Sequence, residues 1–141
     1  MSIFVSGRVR LVVAAFAVVV LGCASGASSA SGVSTGNGGA LSDGDNGRTV
    51  TVARGQQLTV ALNSTYWTFA GPSNPAVLRE VGQPVAVPGS CPPGVGCGDV
   101  IAKFTAVGPG RADITATRTS CGEALSCPAG SGSYRVSVVV T

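Results

Sequence analysis

The sequence predicts an all-β protein, an immunoglobulin-like antiparallel β-sandwich of about seven strands, preceded by a signal peptide and a disordered linker. Between residues 48 and 141, apolar residues recur at every second position in one short segment after another. Turns rich in glycine and proline separate these segments at intervals of roughly 8–12 residues, as in sandwich domains. No segment of this region repeats its apolar residues with the period of a helix.

The alternating apolar residues define one face of each predicted strand. Successive side chains of a strand point to opposite faces of its sheet, so each apolar set belongs to one buried layer. Two more segments, TYWTFA at residues 65–70 and AVLREV at residues 76–81, are rich in β-forming residues and are also predicted as strands. The residues predicted to face the core are Val50, Val52, Leu58, Val60, Leu62, Val100, Ala102, Phe104, Ala106, Ala112, Ile114, Ala116, Tyr134, Val136, Val138 and Val140.

The N-terminal segment has the features of an export signal. Arg8 and Arg10 precede an unbroken apolar run at residues 11–21, which is too short for a stable bilayer span. The run ends in VLGC, which looks like the bacterial lipobox, where cleavage precedes a cysteine that receives a lipid. We therefore expect residues 1–22 to be a lipoprotein signal peptide and Cys23 to anchor the exported protein to the cell membrane. The alternative is an ordinary secretory signal cleaved near residue 27 or 30.

The cysteine count fits this expectation. The chain has five cysteines, and an odd number in an exported protein needs an explanation. Lipidation of Cys23 leaves four, which an oxidising compartment allows to form disulfides. Several pairings are conceivable, and we expect the sequence-local pairs Cys91–Cys97 and Cys121–Cys127 because each closes a short loop. A zinc site is disfavoured, since zinc ligands usually lie closer together and the chain has no histidine.

Residues 23–47 are predicted to be a flexible tether that begins at the lipidated cysteine. The segment consists almost entirely of Gly, Ser, Ala, Asn and Asp, so it cannot bury enough apolar surface to offset its chain entropy. A coil of this composition and length spans about 25–30 Å on average. The folded module is accordingly predicted at residues 48–141, separated from the membrane but attached to it.

The composition argues against catalysis and against nucleic acid as a partner. The chain has no histidine, so no triad of the serine or cysteine hydrolase type can form. Beyond Cys23, seven basic and six acidic residues are scattered singly, which gives neither a basic patch nor paired carboxylates. We therefore expect no enzyme, no cofactor and no metal.

The order of features in residues 49–141 resembles the chagasin-type inhibitors of cysteine peptidases, which are small exported β-sandwiches. That family has a first loop of the form Asn-Pro-Thr-Thr-Gly before an aromatic residue, a second loop rich in glycine, and a third loop that begins Arg-Pro-Trp. The corresponding positions here are Asn63, Ser64, Thr65, Tyr66 and Trp67 in the first loop, Gly94, Val95 and Gly96 in the second, and Arg118, Thr119 and Ser120 in the third.

The resemblance implies that the three loops meet at one end and bind a papain-like cysteine peptidase or another envelope protein. It also implies that Cys91–Cys97 lies in the second loop and Cys121–Cys127 in the third. The first loop lacks the family's proline and glycine, and the third keeps the arginine but lacks the proline and tryptophan. The alternative is a structural or accessory cell-envelope lipoprotein that inhibits nothing. Trp67 is interpreted as a core residue and Tyr66 as pointing outward.

Overall fold

The structure, a computed structural model, describes residues 39–92, 95–122 and 125–141. Within these ranges the chain forms nine β-strands and one 3-10 turn, Asp43–Asp45, with no α-helix. Nothing in the described part of the chain is a helix long and apolar enough to cross a membrane. The strands are β1 (Gly39–Leu41), β2 (Thr49–Val52), β3 (Gln57–Asn63), β4 (Thr68–Phe69), β5 (Leu78–Glu80), β6 (Val85–Pro88), β7 (Gly98–Ala106), β8 (Gly110–Thr117) and β9 (Ser133–Val140).

The strands form two sheets. In the first sheet β1, β3 and β7 are neighbours in that order, and β5 and β6 both pair with the remaining edge of β7. In the second sheet the order is β2, β9, β8 and β4. The pairs β1–β3 and β2–β9 are parallel, and the other pairs are antiparallel. The predicted β-sandwich is confirmed, with two parallel pairs that the sequence did not indicate.

The core lies between the sheets and consists of the alternating residues that the sequence predicted. All of the predicted core residues are buried except Val50, which is half-buried and packs against the core. Phe104 on β7 is the largest fully buried side chain, and burial of such a side chain contributes about 1.5–3 kcal/mol. Leu41, Trp67, Val77 and Leu78 complete the cluster from outside the alternating segments.

The folded module begins earlier than the sequence predicted. Residues 39–47 were expected to belong to the tether, but Gly39–Leu41 forms β1 beside β3. Leu41 is only 7% exposed, and a carboxylate oxygen of Asp43 accepts a hydrogen bond from the backbone N–H of Asn63 at 2.9 Å. One buried leucine and one carboxylate therefore attach this Gly-rich segment to the sandwich. The rest of the predicted tether, the signal peptide and Cys23 lie outside the described residues.

Two predicted strands are shorter in the structure. TYWTFA contributes only Thr68–Phe69, because the chain turns at residues 64–66 before it reaches the second sheet. Ser64 has a φ of 107°, a left-handed backbone conformation that a continuous strand does not contain. AVLREV contributes only Leu78–Glu80.

Strand β6 was not predicted, because all four of its residues are exposed and it has no buried alternation. It pairs with the first half of β7, Val85 opposite Ile101 and Pro88 opposite Gly98. The N–H of Gly89 donates to the carbonyl of Cys97 at 3.0 Å, so the N–H groups that point toward β7 belong to every second residue back from Gly89. Pro88 therefore lies where the backbone nitrogen faces away from β7.

Candidate functional site

The three candidate loops lie at one end of the sandwich. The first loop (residues 63–67) leaves β3 and enters β4, the second (residues 89–97) joins β6 to β7, and the third (residues 118–132) joins β8 to β9. The last residue of β3 pairs with the second residue of β7. The first residue of β4 pairs with the last residue of β8, which also pairs with the first residue of β9. The first loop therefore crosses from one sheet to the other between the second and third loops.

Backbone hydrogen bonds join the first loop to the second. The N–H of Ser64 donates to the carbonyl of Gly98 at 2.7 Å, and the N–H of Thr65 donates to the carbonyl of Gly96 at 2.9 Å. The first bond joins Ser64 to the first residue of β7, and the second lies beyond the ends of both strands. The first loop is thus held along the second by the same kind of contact that holds the sheet together.

The ring of Tyr66 lies against Gly96. A Cβ atom built on Gly96 would be 2.1 Å from Cε2 of Tyr66, and Gly96 has a φ of 64°. Only glycine fits this position, because any side chain would displace the ring and strain the backbone. Tyr66 is half-buried in consequence.

Ser64 shapes the turn of the first loop. The side chain is buried, and its hydroxyl oxygen accepts a hydrogen bond from the N–H of Tyr66 at 3.3 Å. Its φ of 107° places a non-glycine residue in a rarely populated region. Strain of this kind costs on the order of 1–3 kcal/mol and persists where the surroundings determine the conformation.

The side chain of Arg118 joins the third loop to the first. Its Cζ lies 4.5 Å from the centre of the Trp67 ring, a cation–π arrangement. The carbonyl of Asn63 accepts hydrogen bonds from Nε1 of Trp67 at 3.0 Å and from Nη1 of Arg118 at 3.4 Å. Nε of Arg118 also donates to the carbonyl of Ser131 at 3.2 Å, within the third loop.

Each of the other two loops is closed by a disulfide. Cys91 pairs with Cys97 and Cys121 with Cys127, which confirms the predicted local pairing. The first of these bonds closes the second loop beside a shallow depression of about 270 Å³, lined by residues that include Thr65, Pro88 and Gly96. No group of three or more His, Cys, Asp or Glu residues that could hold a metal occurs in the described ranges.

The third loop contains a small hairpin. Ser120 and Ser126 form an isolated antiparallel bridge, and the N–H of Cys127 donates to the carbonyl of Thr119 at 3.1 Å. The N–H of Cys121 donates to the carbonyl of Leu125 at 3.0 Å. The disulfide and these bonds give the loop regular structure where the sequence indicated only a spacing of cysteines.

Comparison with known proteins agrees with this architecture. No protein-family model and no curated protein matches the sequence. The structure is similar to the solution structure of amebosin, with a TM-score of 0.53 and 18% identity over 75% of this chain and 100% of amebosin. It is also similar to the crystal structure of a cysteine protease inhibitor from Entamoeba histolytica, with a TM-score of 0.50 and 13% identity over 74% of this chain and 95% of the inhibitor.

The chain has the chagasin-type fold. At these identities the similarity concerns the fold, and it confirms at that level the resemblance seen in the order of loops and strands.

The chagasin-type fold places the predicted loop residues at different depths. Ser64 and Trp67 are buried, so they support the loop surface and are not part of it, which corrects their inclusion among the contact residues. Thr65, Tyr66, Gly96, Arg118 and Ser120 are half-buried, whereas Asn63, Val95 and Thr119 are exposed. Gly94 lies outside the described residues.

Leu125 was not among the residues that the sequence indicated. In the chagasin-type fold of this chain, its side chain is 67% exposed inside the loop closed by Cys121 and Cys127. A lone large aliphatic residue inside a short disulfide loop was the sequence signal that could have identified it, because such a loop is too short to bury it.

Proposed function

We propose that this chain inhibits papain-like cysteine peptidases by inserting its three loops into the peptidase groove. The observation that carries the proposal is the bonding of the three loops into one surface, on a sandwich that shares its fold with a cysteine protease inhibitor along 95% of that inhibitor. Thr65 is hydrogen-bonded to the second loop, and Arg118 connects the third loop to the first. The parts of this surface are therefore in place before a partner arrives.

Preorganisation favours binding because association otherwise has to order the contact loops. Fixing a mobile, rotamer-rich side chain at an interface costs roughly 0.5–1.5 kcal/mol, and ordering a loop adds to that cost. Here two disulfides and the stack of Arg118 on Trp67 meet that cost during folding. Loops held by a rigid sandwich are also the usual location of binding residues.

The mode of inhibition follows from what the loops present. The cysteines of the second and third loops are paired in disulfides, so they offer no thiol to the peptidase. The surface is made largely of Gly, Ser, Thr and Pro residues, which suit close steric contact and offer no reactive group. We therefore expect reversible, competitive inhibition in which the loops exclude substrate from the groove.

Titration of papain with the purified full-length chain tests the proposal. Competitive inhibition is expected, together with complex formation in calorimetry that also occurs when the catalytic thiol of papain has been alkylated. Absence of inhibition up to roughly 50 μM, a binding free energy weaker than about −6 kcal/mol, would contradict it. Binding without inhibition would instead favour the accessory envelope lipoprotein.

We propose further that the inhibitor is held at the extracytoplasmic side of the cell membrane by a lipid on Cys23. The basis is the sequence VLGC at the end of the apolar run, together with the paired state of the other four cysteines. An alkyne-tagged fatty acid should label the wild-type chain in bacteria and should not label Cys23→Ala. Labelling of neither protein, with cleavage after residue 27 or 30, would support an unanchored secreted protein.

A further inference from the structure

The exposed large aliphatic residues in the described part of the chain fall into two groups. Val81 directly follows β5, and Val85 and Val87 lie on β6, all three on the outer side of the first sheet. The other two, Val95 and Leu125, lie one in each disulfide loop and are 39% and 67% exposed. Neither belongs to the core, so the sandwich does not need their aliphatic character.

Leu125 is the most exposed residue of the set, and its backbone is nonetheless fixed. Its N–H donates to the carbonyl of Gly122 at 2.7 Å, and its carbonyl accepts from the N–H of Cys121 at 3.0 Å. The disulfide closes the same hairpin two residues later, at Cys127. Both backbone polar groups of Leu125 are satisfied inside the hairpin, while its side chain is left in water.

Val95 lies in a comparable position in the second loop. The loop is closed by Cys91 and Cys97, and the next residue, Gly96, is bonded to the first loop through its carbonyl. The first loop is bonded to both the second and the third loop, so the two aliphatic residues belong to loops of one connected surface.

We propose that Leu125, with Val95 as a secondary contact, is the apolar anchor through which the loops bind an apolar subsite of the partner protein. This inference rests on the proposed inhibitory function and names the residues that supply its contact energy. A rigidly held apolar side chain that fills a pocket is the usual form of an interface hot spot. Leu125 meets that description, because it loses little backbone freedom on binding and loses its contact with water.

The surroundings favour a protein over a lipid surface as the partner. A membrane-binding loop normally combines apolar residues with several basic ones that attract anionic headgroups. Arg118 is the only basic residue within the second and third loops, and its guanidinium lies over Trp67.

Inhibition of papain by full-length variants tests the inference. Leu125→Ala should weaken inhibition about tenfold and Leu125→Asp by more, whereas Val95→Ala should weaken it about threefold. Val85→Ala is the matched control, since Val85 is 58% exposed but lies on β6 outside the loops. The thermal unfolding midpoints of the loop variants should equal that of the wild type.

The outcomes separate the two proposals. If the wild type inhibits papain and Leu125→Ala inhibits it within about twofold of the wild type, the anchor is wrong and the inhibitory function stands. If the wild type does not bind or inhibit papain, the function fails and the anchor inference fails with it. In the Cys23→Ala background, which removes the proposed lipid, sedimentation with vesicles of phosphatidylcholine and phosphatidylglycerol that Leu125→Asp abolishes would overturn the choice of a protein partner.

Discussion

The guanidinium of Arg118 lies over the ring of Trp67, with 4.5 Å between Cζ and the ring centre. Both side chains also donate a hydrogen bond to the carbonyl of Asn63. One carbonyl and one ring thereby connect the last residue of β3 to the start of the third loop. The buried tryptophan thus supports the loop surface from below, and Arg118 acts first as a connector between loops.

Replacement of Arg118 by alanine should lower the free energy of unfolding by about 1–2 kcal/mol, because the cation–π contact and hydrogen bonds are lost together. Arg118→Lys should lie between alanine and the wild type, since lysine keeps the charge but not the planar donor group. Chemical denaturation followed by Trp67 fluorescence measures both effects. Equal stability of all three proteins would show that the stack contributes nothing.

Gly96→Ala should lower the stability of the protein by more than the backbone strain of an alanine at positive φ. The new Cβ would collide with Tyr66, adding to the strain of about 1–2 kcal/mol expected for alanine at positive φ. Gly55→Ala is the matched control, because Gly55 has a φ of 87° with nothing within 4 Å of a built Cβ.

A double variant isolates the collision. Tyr66→Ala combined with Gly96→Ala should recover part of the lost stability, and the coupling energy from a double-mutant cycle should exceed about 0.5 kcal/mol. Additive effects would show that the ring can move aside without cost. Thermal unfolding of the four proteins gives the measurement.

Removal of the third-loop disulfide by Cys121→Ser with Cys127→Ser should cost about 2 kcal/mol or less of stability, because the closed loop is short. Inhibition of papain should weaken by more than the loss of stability explains. The reason is that the hairpin that holds Leu125 then has to be ordered on binding. Differential scanning calorimetry and inhibition assays measure the two effects. The pair Cys91→Ser with Cys97→Ser provides the comparison in the second loop. A folded variant with unchanged inhibition would assign the disulfide to stability alone.

The carboxylate of Asp113 should make stability depend on pH in acid. Its oxygens accept a hydrogen bond from the hydroxyl of Ser137 at 2.6 Å and one from the guanidinium of Arg135. Both contacts hold the pKa of Asp113 below its ordinary value of 3.8, and the hydrogen bond from the Ser137 hydroxyl has the larger effect. The ionised carboxylate of Asp113 therefore contributes its full stabilisation above the unfolded-state pKa. This stabilisation is lost as the pH falls through the lower folded-state pKa.

Asp113→Asn should flatten the dependence of unfolding free energy on pH below about pH 4, the ordinary range of an aspartate. At neutral pH this substitution should lower the free energy of unfolding by less than about 1 kcal/mol, because the ion pair lies near the surface. Urea denaturation at several pH values measures both. Ser137→Ala should have an intermediate slope, and an unchanged slope in Asp113→Asn would contradict the assignment.

The sequence was sufficient to predict the strands that have one buried face. It was insufficient for strands that are exposed or that form only because a distant strand pairs with them. Leu58, Val60 and Leu62 alternate with residues directed away from the core, so a period of two identified β3 directly. β6 has no buried residue and β1 has one, within a Gly-rich segment, so neither produced a signal. Both depend on partner strands that are distant in sequence.

In the loops, the sequence predicted where residues lie better than it predicted which contacts they make. The sequence placed Trp67 and Arg118 in loops that meet, but the stack between them depends on the path of the first loop from one sheet to the other. The left-handed conformation of Ser64 could not be anticipated, because serine rarely adopts it and the surrounding structure imposes it. Leu125 belongs to no alternating apolar segment, so a period of two gave no indication of it.

The proline at the end of β6 also affects whether copies of this protein associate at high concentration. An open sheet edge is a template for further strands, and chains that stack edge to edge form fibres. Between Pro84 and Pro88, neither of which has an N–H, only Ala86 directs an N–H away from β7. The same border also includes β5, and the opposite border is β1; each of these two strands is three residues long. Neither border is a good template for polymerisation, so the first sheet resists the edge-to-edge growth to which small β-proteins are prone.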